Sequence, residues 1–415
     1  MKELLKVLWF SNITLTDKEP NSSGTWMNSL SSSLVASGCV QLFNITQAKV
    51  KVITKRDNHP IQQWLIPIVG RKNRGLPDDR IIREIVSVVK DINPDVIHIW
   101  GMEKFWGLLT ARGYVKGNVI LEIQGIKFAI EKYVYADLKL RDVVRCFGIG
   151  ELFRPFESLA GTKYSYRKWG RYEREMLTNH KIISTQSDWV RANVGAVNPL
   201  AKIVSNSMLL RREFVEAVKW EYVNCVPFQL FSFTSSVISY KGLHILIDAL
   251  AILKKSYPNI KLVIAGAIST GVRADGYTKW LIRKIKRLGL TDDLQWIGPL
   301  TAKDIVNQLH NANVAIIPSF VESYCMTLEE SLFAGTPTVA SFSGAMPELA
   351  TNEESALFFP PGDIVMCARC IERILTDVKL ATKLSNNSFT AKRKKDRTLT
   401  VKKQLDIYYS SLNNE

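Results

Sequence analysis

The densest chemistry in the chain lies between Pro318 and Pro337, in Pro318-Ser319-Phe320-Val321-Glu322-Ser323-Tyr324-Cys325-Met326-Thr327-Leu328-Glu329-Glu330 and the residues after it. Two of its glutamates, Glu322 and Glu330, stand eight positions apart. An apolar strand expected at 313–317 feeds this loop, and a helix expected over 328–334 follows, ended by Gly335 with Pro337 beyond it. A loop leaving a strand in this way sits at the carboxyl edge of a sheet, where open α/β folds bind ligands. The first amides of the following helix are free to hold an anion, and the helix dipole favours a phosphate there. Glu330 also has a purely structural reading, because Thr327-x-x-Glu330 is a capping box in which Glu330 satisfies the Thr327 amide. Glu322 has no such duty, so a carboxylate in that loop points to ligand binding.

The elements that must position this loop alternate along the chain. Short apolar runs ending in Gly, Asn or His read as strands at 5–10, 51–54, 95–100, 118–123 and 181–185, with helices at 25–37, 79–92 and 168–178. A second series has strands at 228–234, 260–265, 294–297, 313–317 and 337–341, and helices at 242–256, 277–288, 303–310, 328–334 and 363–376. Alternation of this kind is the pattern of parallel sheets with crossover helices, so the fold class is α/β with two doubly wound, Rossmann-like domains. The expected boundaries are an N-terminal domain over 1–212, a C-terminal domain over 223–390 and a C-terminal helix over 391–415 returning toward the first domain.

Composition narrows the partners. A chain of 415 residues at 46% hydrophobic and 23% charged can bury large cores, which excludes a disordered or disulfide-stapled protein. Its formal net charge of +16 favours phosphates, nucleic acid or an anionic membrane face. The surplus is uneven: residues 251–300 hold nine basic and three acidic side chains, whereas 301–350 hold one basic and five acidic. Residues 127–180 interleave Arg167, Lys168, Arg171 and Arg174 with Tyr164, Tyr166, Trp169 and Tyr172, which reads either as a solvated helical pair or as a surface for lipid or nucleic acid. The six cysteines lack disulfide-scaffold or zinc spacing, and reduced thiols in a cytosolic protein are expected. No run approaches the length of a membrane span, so any membrane contact is expected to be peripheral.

The stretch from Pro318 to Pro337 resembles the P-S-x-x-E-G-F-G-x-x-x-x-E-A-M-A-x-G-x-P segment of family-4 glycosyltransferases of the GT-B fold, with Glu322 and Glu330 as its two glutamates. Gly344-Ala345-Met346-Pro347-Glu348-Leu349 resembles the family's G-G-x-P-E-L, Pro360-Pro361-Gly362-Asp363 its P-P-G-D, and Lys241-Gly242 the K-G that opens its first nucleotide-domain helix. Asn206 and Phe214 are similar to its linker entry, and Ser23-Gly24 stands where the family has G-G. The resemblance implies retaining transfer of a sugar from a nucleotide-diphosphate donor, without metal or other cofactor, in a central cleft faced by the two domains. By the same resemblance Glu322 would hold donor-sugar hydroxyls and Glu330 the ribose hydroxyls. The amides of Cys325, Met326 and Thr327 would meet the distal phosphate, with Lys241 neutralising the diphosphate. Gly24 would let the first loop approach that phosphate, and Gly298 stands where the family presents backbone to the base.

Several positions depart from the family. Ser236 occupies the place of a phosphate-clamping arginine, Trp100 that of the second histidine of H-x-H after His98, and Gln124 that of another histidine. Ile99-Trp100-Gly101-x-Glu103, Ile123-Gln124-Gly125 and Tyr240-Lys241-Gly242-Leu243-His244 instead resemble a subset of bacterial polysaccharide-assembly transferases. In that setting His98, Glu103 and Gln124 are acceptor-side or reacting-centre candidates, although His98 also reads as a hydrogen-bonded strand-end histidine and Glu103 as a helix cap. The implied partners are a nucleotide-sugar donor, a saccharide or lipid-linked saccharide acceptor, and an anionic membrane at the inner face of the cytoplasmic membrane. Nucleic acid is not expected, because no recognised motif accompanies the basic residues. Two other readings of the same fold are a nucleotide-sugar epimerase or hydrolase and a non-catalytic assembly partner.

Overall fold

The computed structural model describes residues 4–15, 26–58, 60–68, 70, 74–269, 274–393 and 397–412. It divides into two compact units, one of residues 1–129, 167–209 and 396–415 and one of residues 130–166 and 210–395.

The first unit is built on eight strands: β1 (Leu5–Ser11), β2 (Val40–Ala48), β3 (Thr54–Asn58), β4 (Ile61–Pro67), β5 (Val96–Trp100), β6 (Asn118–Glu122), β7 (Ile182–Thr185) and β8 (Lys202–Ser205). Their order is β3-β4-β2-β1-β5-β6-β7-β8, with β3 antiparallel to β4 and the other pairs parallel. Central parallel strands are covered on both faces, which is why β1 reads as one apolar run: Val7, Leu8, Trp9 and Phe10 are fully buried. The winding reverses between β1 and β5, and their carboxyl ends, Ser11 and Trp100, mark the switch point where such sheets bind ligands.

The chain departs from the sequence expectations in several places, with β8 and the helix Asp188–Gly195 among the elements not expected. The strand expected at 51–54 is a bend with Val52 59% exposed, and the chain pairs only from Thr54 as a polar edge strand. The strands β2 and β4 were hidden because buried amides interrupt their apolar alternation. Asn44 donates to Gln63 Oε1 at 3.1 Å, while Gln63 exchanges bonds of 2.6 and 2.9 Å with the Leu15 backbone. The helix expected at 168–178 begins at Leu159, where the Ser158 hydroxyl accepts from the Gly161 amide at 2.9 Å. The helix Asp79–Ile92 follows its expected span, with Ile81, Ile82, Ile85, Val89 and Ile92 on the buried face.

The second unit has six parallel strands, β9 (Gln229–Phe233), β10 (Lys261–Ala265), β11 (Leu294–Gly298), β12 (Val314–Ile317), β13 (Thr338–Ser341) and β14 (Leu357–Phe359), in the order β11-β10-β9-β12-β13-β14. Its switch point lies between β9 and β12. The crossover helices start on side-chain caps, with Asp275, Thr301 and Asp363 accepting from the amides of Thr278, Asp304 and Met366. The three-residue β14 is too short to show in an apolar pattern.

A continuous N-terminal domain over 1–212 is not what the chain builds, because residues 130–166 cluster with the second sheet. Polar contacts seat them there: Ser239 donates to the Val134 carbonyl at 2.5 Å, and Trp280 Nε1 to Asp142 Oδ1 at 3.3 Å. The helix Arg397–Leu412 belongs to the first unit, where Asn206 donates to Gln404 Oε1 at 3.0 Å.

His244, at the start of the helix Leu243–Leu253, donates through Nε2 to the Ala136 carbonyl (3.0 Å), leaving Nδ1 to accept from the Tyr277 hydroxyl (2.9 Å). Burial drops it to about 4 from an ordinary 6.5, the Ala136 bond opposing, with Lys284 lowering it further and Asp142 raising it. A histidine held neutral when folded and protonated when unfolded makes stability rise with pH across that interval. Acidifying through this window is expected to remove about 3 kcal/mol through His244 alone. Chemical denaturation at both ends of the window checks this: His244→Gln should flatten that slope, and an unchanged slope would contradict the assignment.

Candidate active site

In the second unit the loop after β12 and the turn before the helix Leu243–Leu253 are joined at the switch point. The Phe320 amide donates to the Tyr240 carbonyl at 2.8 Å. Gly242, at φ +71, lies so close that a Cβ there would stand 1.9 Å from the Pro318 oxygen. This turn delivers Lys241, whose Nζ donates to Glu322 Oε1 at 2.7 Å, and Ser319 Oγ donates to the same oxygen at 2.7 Å. Gly344, at φ +55, is required on the other side of the loop: its missing Cβ would sit 2.2 Å from the Glu322 carbonyl, which accepts from the Ala345 amide. The pair is only partly exposed, Lys241 by 24% and Glu322 by 12%. Burial alone would lower the Lys241 ammonium, but the Glu322 charge and hydrogen bond hold it above its ordinary value. A fixed ammonium and a half-buried carboxylate thus meet beside a helix start, a combination able to hold a phosphate and a hydroxylated group side by side.

The helix after the loop is Met326–Ala334, beginning two residues earlier than expected. Its cap, Cys325, stands at φ +84, the left-handed conformation that the family's glycine adopts freely, and its thiol is pushed up to about 12 by burial. The helical ladder opens with the Glu329 amide donating to the Cys325 carbonyl, which leaves the amides of Cys325, Met326 and Thr327 ahead of it. The capping-box reading of Glu330 is overturned. The cap is Cys325 and not Thr327, its thiol meets the Thr327 hydroxyl at 3.3 Å, and Glu330 Oε1 accepts from Arg211 Nη2 at 2.9 Å. Glu330 lies inside the helix, one turn past the amide it was to satisfy, and the guanidinium is the stronger partner. Burial raises the Glu330 carboxyl, against the pull of the Arg211 charge, and Glu329 adds to the rise. Glu329 is separately engaged, accepting from the Tyr324 hydroxyl at 2.5 Å.

Arg211 was missed. It stands 119 positions from Glu330, inside the Asn206-to-Phe214 stretch whose end residues carry the resemblance, and that placement was the available signal. Ser236 is half-buried in the turn after β9, where its carbonyl accepts from Thr234 Oγ1 at 3.0 Å, so this place holds a turn and no charge. Gly298 ends β11 at φ +75, with its carbonyl taken by the Gly266 amide at 2.8 Å. Gly24 lies outside the described residues.

His98, Glu103 and Gln124 all belong to the first unit. His98 lies within β5, fully buried and in register with Trp9 of β1 and Ile120 of β6. Trp9 Nε1 donates to the Tyr408 hydroxyl at 3.0 Å, and that hydroxyl and His98 Nδ1 stand 3.0 Å apart, one donating to the other. Nε2 lies 3.5 Å from Glu122 Oε2, and burial lowers the ring's pKa, which favours its neutral form. Gln186 donates to the other Glu122 oxygen at 2.8 Å. Glu103 lies in the loop after β5, where Asn12 donates to its Oε2 at 3.3 Å. Its carboxyl crowds Gly101, at φ +89, whose Cβ would stand 2.0 Å from Oε2, and burial raises its pKa. Gln124 follows β6 and its amide reaches Met27 Sδ at 3.7 Å. The switch-point edge of this sheet thus carries a carboxylate and an amide, with the histidine held behind them. The Tyr408 partner, 310 positions away, has no local signal in the sequence.

Residues 227–390 match the family described as glycosyl transferases group 1. The chain is 27% identical over 170 residues to the glycogen synthase of Mycobacterium tuberculosis, a match that covers 40% of this chain and 39% of that protein. It therefore spans well under half the length of that relative. Sucrose-phosphate synthase from Thermosynechococcus elongatus superposes with a TM-score of 0.72 at 14% identity, covering 98% of each chain. Anabaena HepE, solved with UDP and glucose, superposes with a TM-score of 0.68 at 15% identity, covering 98% of this chain and all of that one. These superpositions show the GT-B fold, and within it residues 227–390 are similar to glycosyl transferases group 1.

Proposed function

We propose that this protein moves a sugar from a nucleotide-diphosphate donor, with retention and without metal, to a saccharide or lipid-linked saccharide in capsule, exopolysaccharide or lipopolysaccharide assembly. The observation that carries the reading is the contact of Lys241 with Glu322 beside the first amides of Met326–Ala334, inside the group 1 domain. The leaving diphosphate gains negative charge as the glycosidic bond breaks. An ammonium and amides aimed at it therefore stabilise the transition state more than the ground state. In this reading Glu322 accepts from sugar hydroxyls, and Glu330 from ribose hydroxyls. Glu103 and Gln124 then face the acceptor, and the neutral His98 fixes the strand end behind them. Donor use would place the enzyme in the cytoplasm.

The test is a thermal-shift screen of nucleotide diphosphates and their sugars in the presence of EDTA. A ligand held only by the folded protein at about a hundred times its Kd adds about 2.7 kcal/mol to stability. One nucleotide diphosphate is expected to raise the transition, with its sugar form consumed once a saccharide acceptor is supplied. A screen in which no nucleotide shifts the transition, or in which only added divalent cation restores the shift, would overturn the donor-site reading or its metal-free part.

A further inference from the structure

We propose that residues 139–156 of the second unit form a surface that seats on an anionic lipid bilayer. Two short helices, Leu140–Arg145 and Ile149–Phe153, carry most of this stretch. The stretch turns six large apolar side chains to solvent, four on these helices and two beside them: Leu140 (79% exposed), Val144 (63%), Phe147 (49%), Leu152 (65%), Phe153 (83%) and Phe156 (66%). Isolated exposed apolar residues are ordinary, but a cluster this dense within one short segment marks a contact surface.

The platform beneath them is firmly built. The Cys146 carbonyl packs where a Cβ on Gly276 would stand 1.5 Å away, Arg283 Nη2 donates to the Arg145 carbonyl at 2.8 Å, and the Gly148 amide donates to the buried Glu151 at 2.9 Å. The phenylalanines are thus held out from a rigid base, and folding alone does not cover them.

Charge selects the occupant. Lys139, Arg141, Arg145 and Arg154 alternate with the apolar residues, and the helix Gly276–Arg287 adds Arg283 against Arg145 and Lys279 beside Gly150. Three acids share the segment: Asp142 lies 3.4 Å from Arg145 and 3.7 Å from Arg141, Glu157 pairs with Arg154 at 2.6 Å, and Glu151 is buried, so the surplus of positive charge is carried with Lys139, Lys279 and Arg283. The core of a protein interface is depleted of charge, whereas basic residues interleaved with Phe and Leu suit the boundary between headgroups and acyl chains. Among the described residues no helix is long and apolar enough to cross a membrane, so the contact lies in the plane of the interface.

The inference does not rest on donor chemistry, because vesicle binding needs no nucleotide. The 415-residue chain is expected to co-sediment with vesicles of phosphatidylglycerol and phosphatidylcholine in equal parts, weakly with phosphatidylcholine alone, and less as salt rises. Phe153→Ser/Phe156→Ser should weaken that partitioning about tenfold or more while leaving thermal unfolding and nucleotide binding unchanged. Arg141→Glu, at a 68% exposed side chain, should reduce the preference for the anionic lipid. Wild-type protein that ignores anionic vesicles, or a double variant that binds them as wild type does, would overturn the proposal. So would sedimentation showing that the double substitution splits a dimer without altering vesicle binding, since the face would then join two copies of the chain.

Discussion

Glu322→Gln is expected to lower sugar transfer by about 10²–10³-fold while leaving nucleotide-diphosphate affinity unchanged or improved. Gln keeps the shape of the side chain and the oxygen that accepts from Ser319, but removes the charge that neutralises Lys241 at 2.7 Å. The ammonium then belongs wholly to the incoming diphosphate, and what is lost is the carboxylate facing the sugar. Lys241→Met should do the reverse. Diphosphate binding falls by roughly ten- to a hundredfold, the worth of one charge-assisted hydrogen bond. The unliganded protein also loses about 2 kcal/mol, because a Glu322 side chain exposed by only 12% is left without its cation. Calorimetry with the nucleotide diphosphate alone, set against turnover with the complete donor and acceptor, separates the two effects. Glu322→Gln that turns over within a few-fold of wild type would remove Glu322 from the reaction. Lys241→Met that binds the diphosphate normally would remove the lysine from the phosphate site.

How much of this was legible in the sequence follows from which interactions are local. Strands buried on both faces, such as β1 and β9, read directly as apolar runs, and the amphipathic helix Asp79–Ile92 reads from its period. The edge strand β3 and the amide-lined β2 and β4 did not, because β3 is polar and Asn44 and Gln63 are buried by pairing and not by being apolar. At the site, the loop, its glutamates and the lysine were visible as spacing, since each lies at the end of a strand or the start of a helix. Their partners were not. Arg211 reaches Glu330 and Tyr408 reaches His98 only because the chain folds back over long separations, and no periodicity records such a meeting. Thr327-x-x-Glu330 shows the converse error: a local pattern adequate for a cap was overridden by a guanidinium from elsewhere in the same unit.

Arg211→Ala tests that override most severely. Glu330 is 7% exposed at its side chain and Arg211 15%, so the substitution leaves a buried carboxylate without its cation, a change expected to cost about 3–5 kcal/mol. The cost has a predictable pH dependence. Burial already raises the Glu330 carboxyl above its unfolded value while Arg211 pulls it back, so removing Arg211 raises it further. A folded state that binds a proton the unfolded state has released loses stability as pH rises, so the deficit of Arg211→Ala should be larger at about pH 8 than at about pH 5. An equal deficit at both values would mean that Glu330 is not a buried ionised group. Pairing the change as Arg211→Met/Glu330→Gln should restore most of the stability, because neither charge is then left alone. If Glu330 also holds ribose hydroxyls, the double variant will unfold near the wild-type temperature and still bind the nucleotide diphosphate more weakly. Recovery of both properties together would confine the Arg211–Glu330 pair to holding the helix in place.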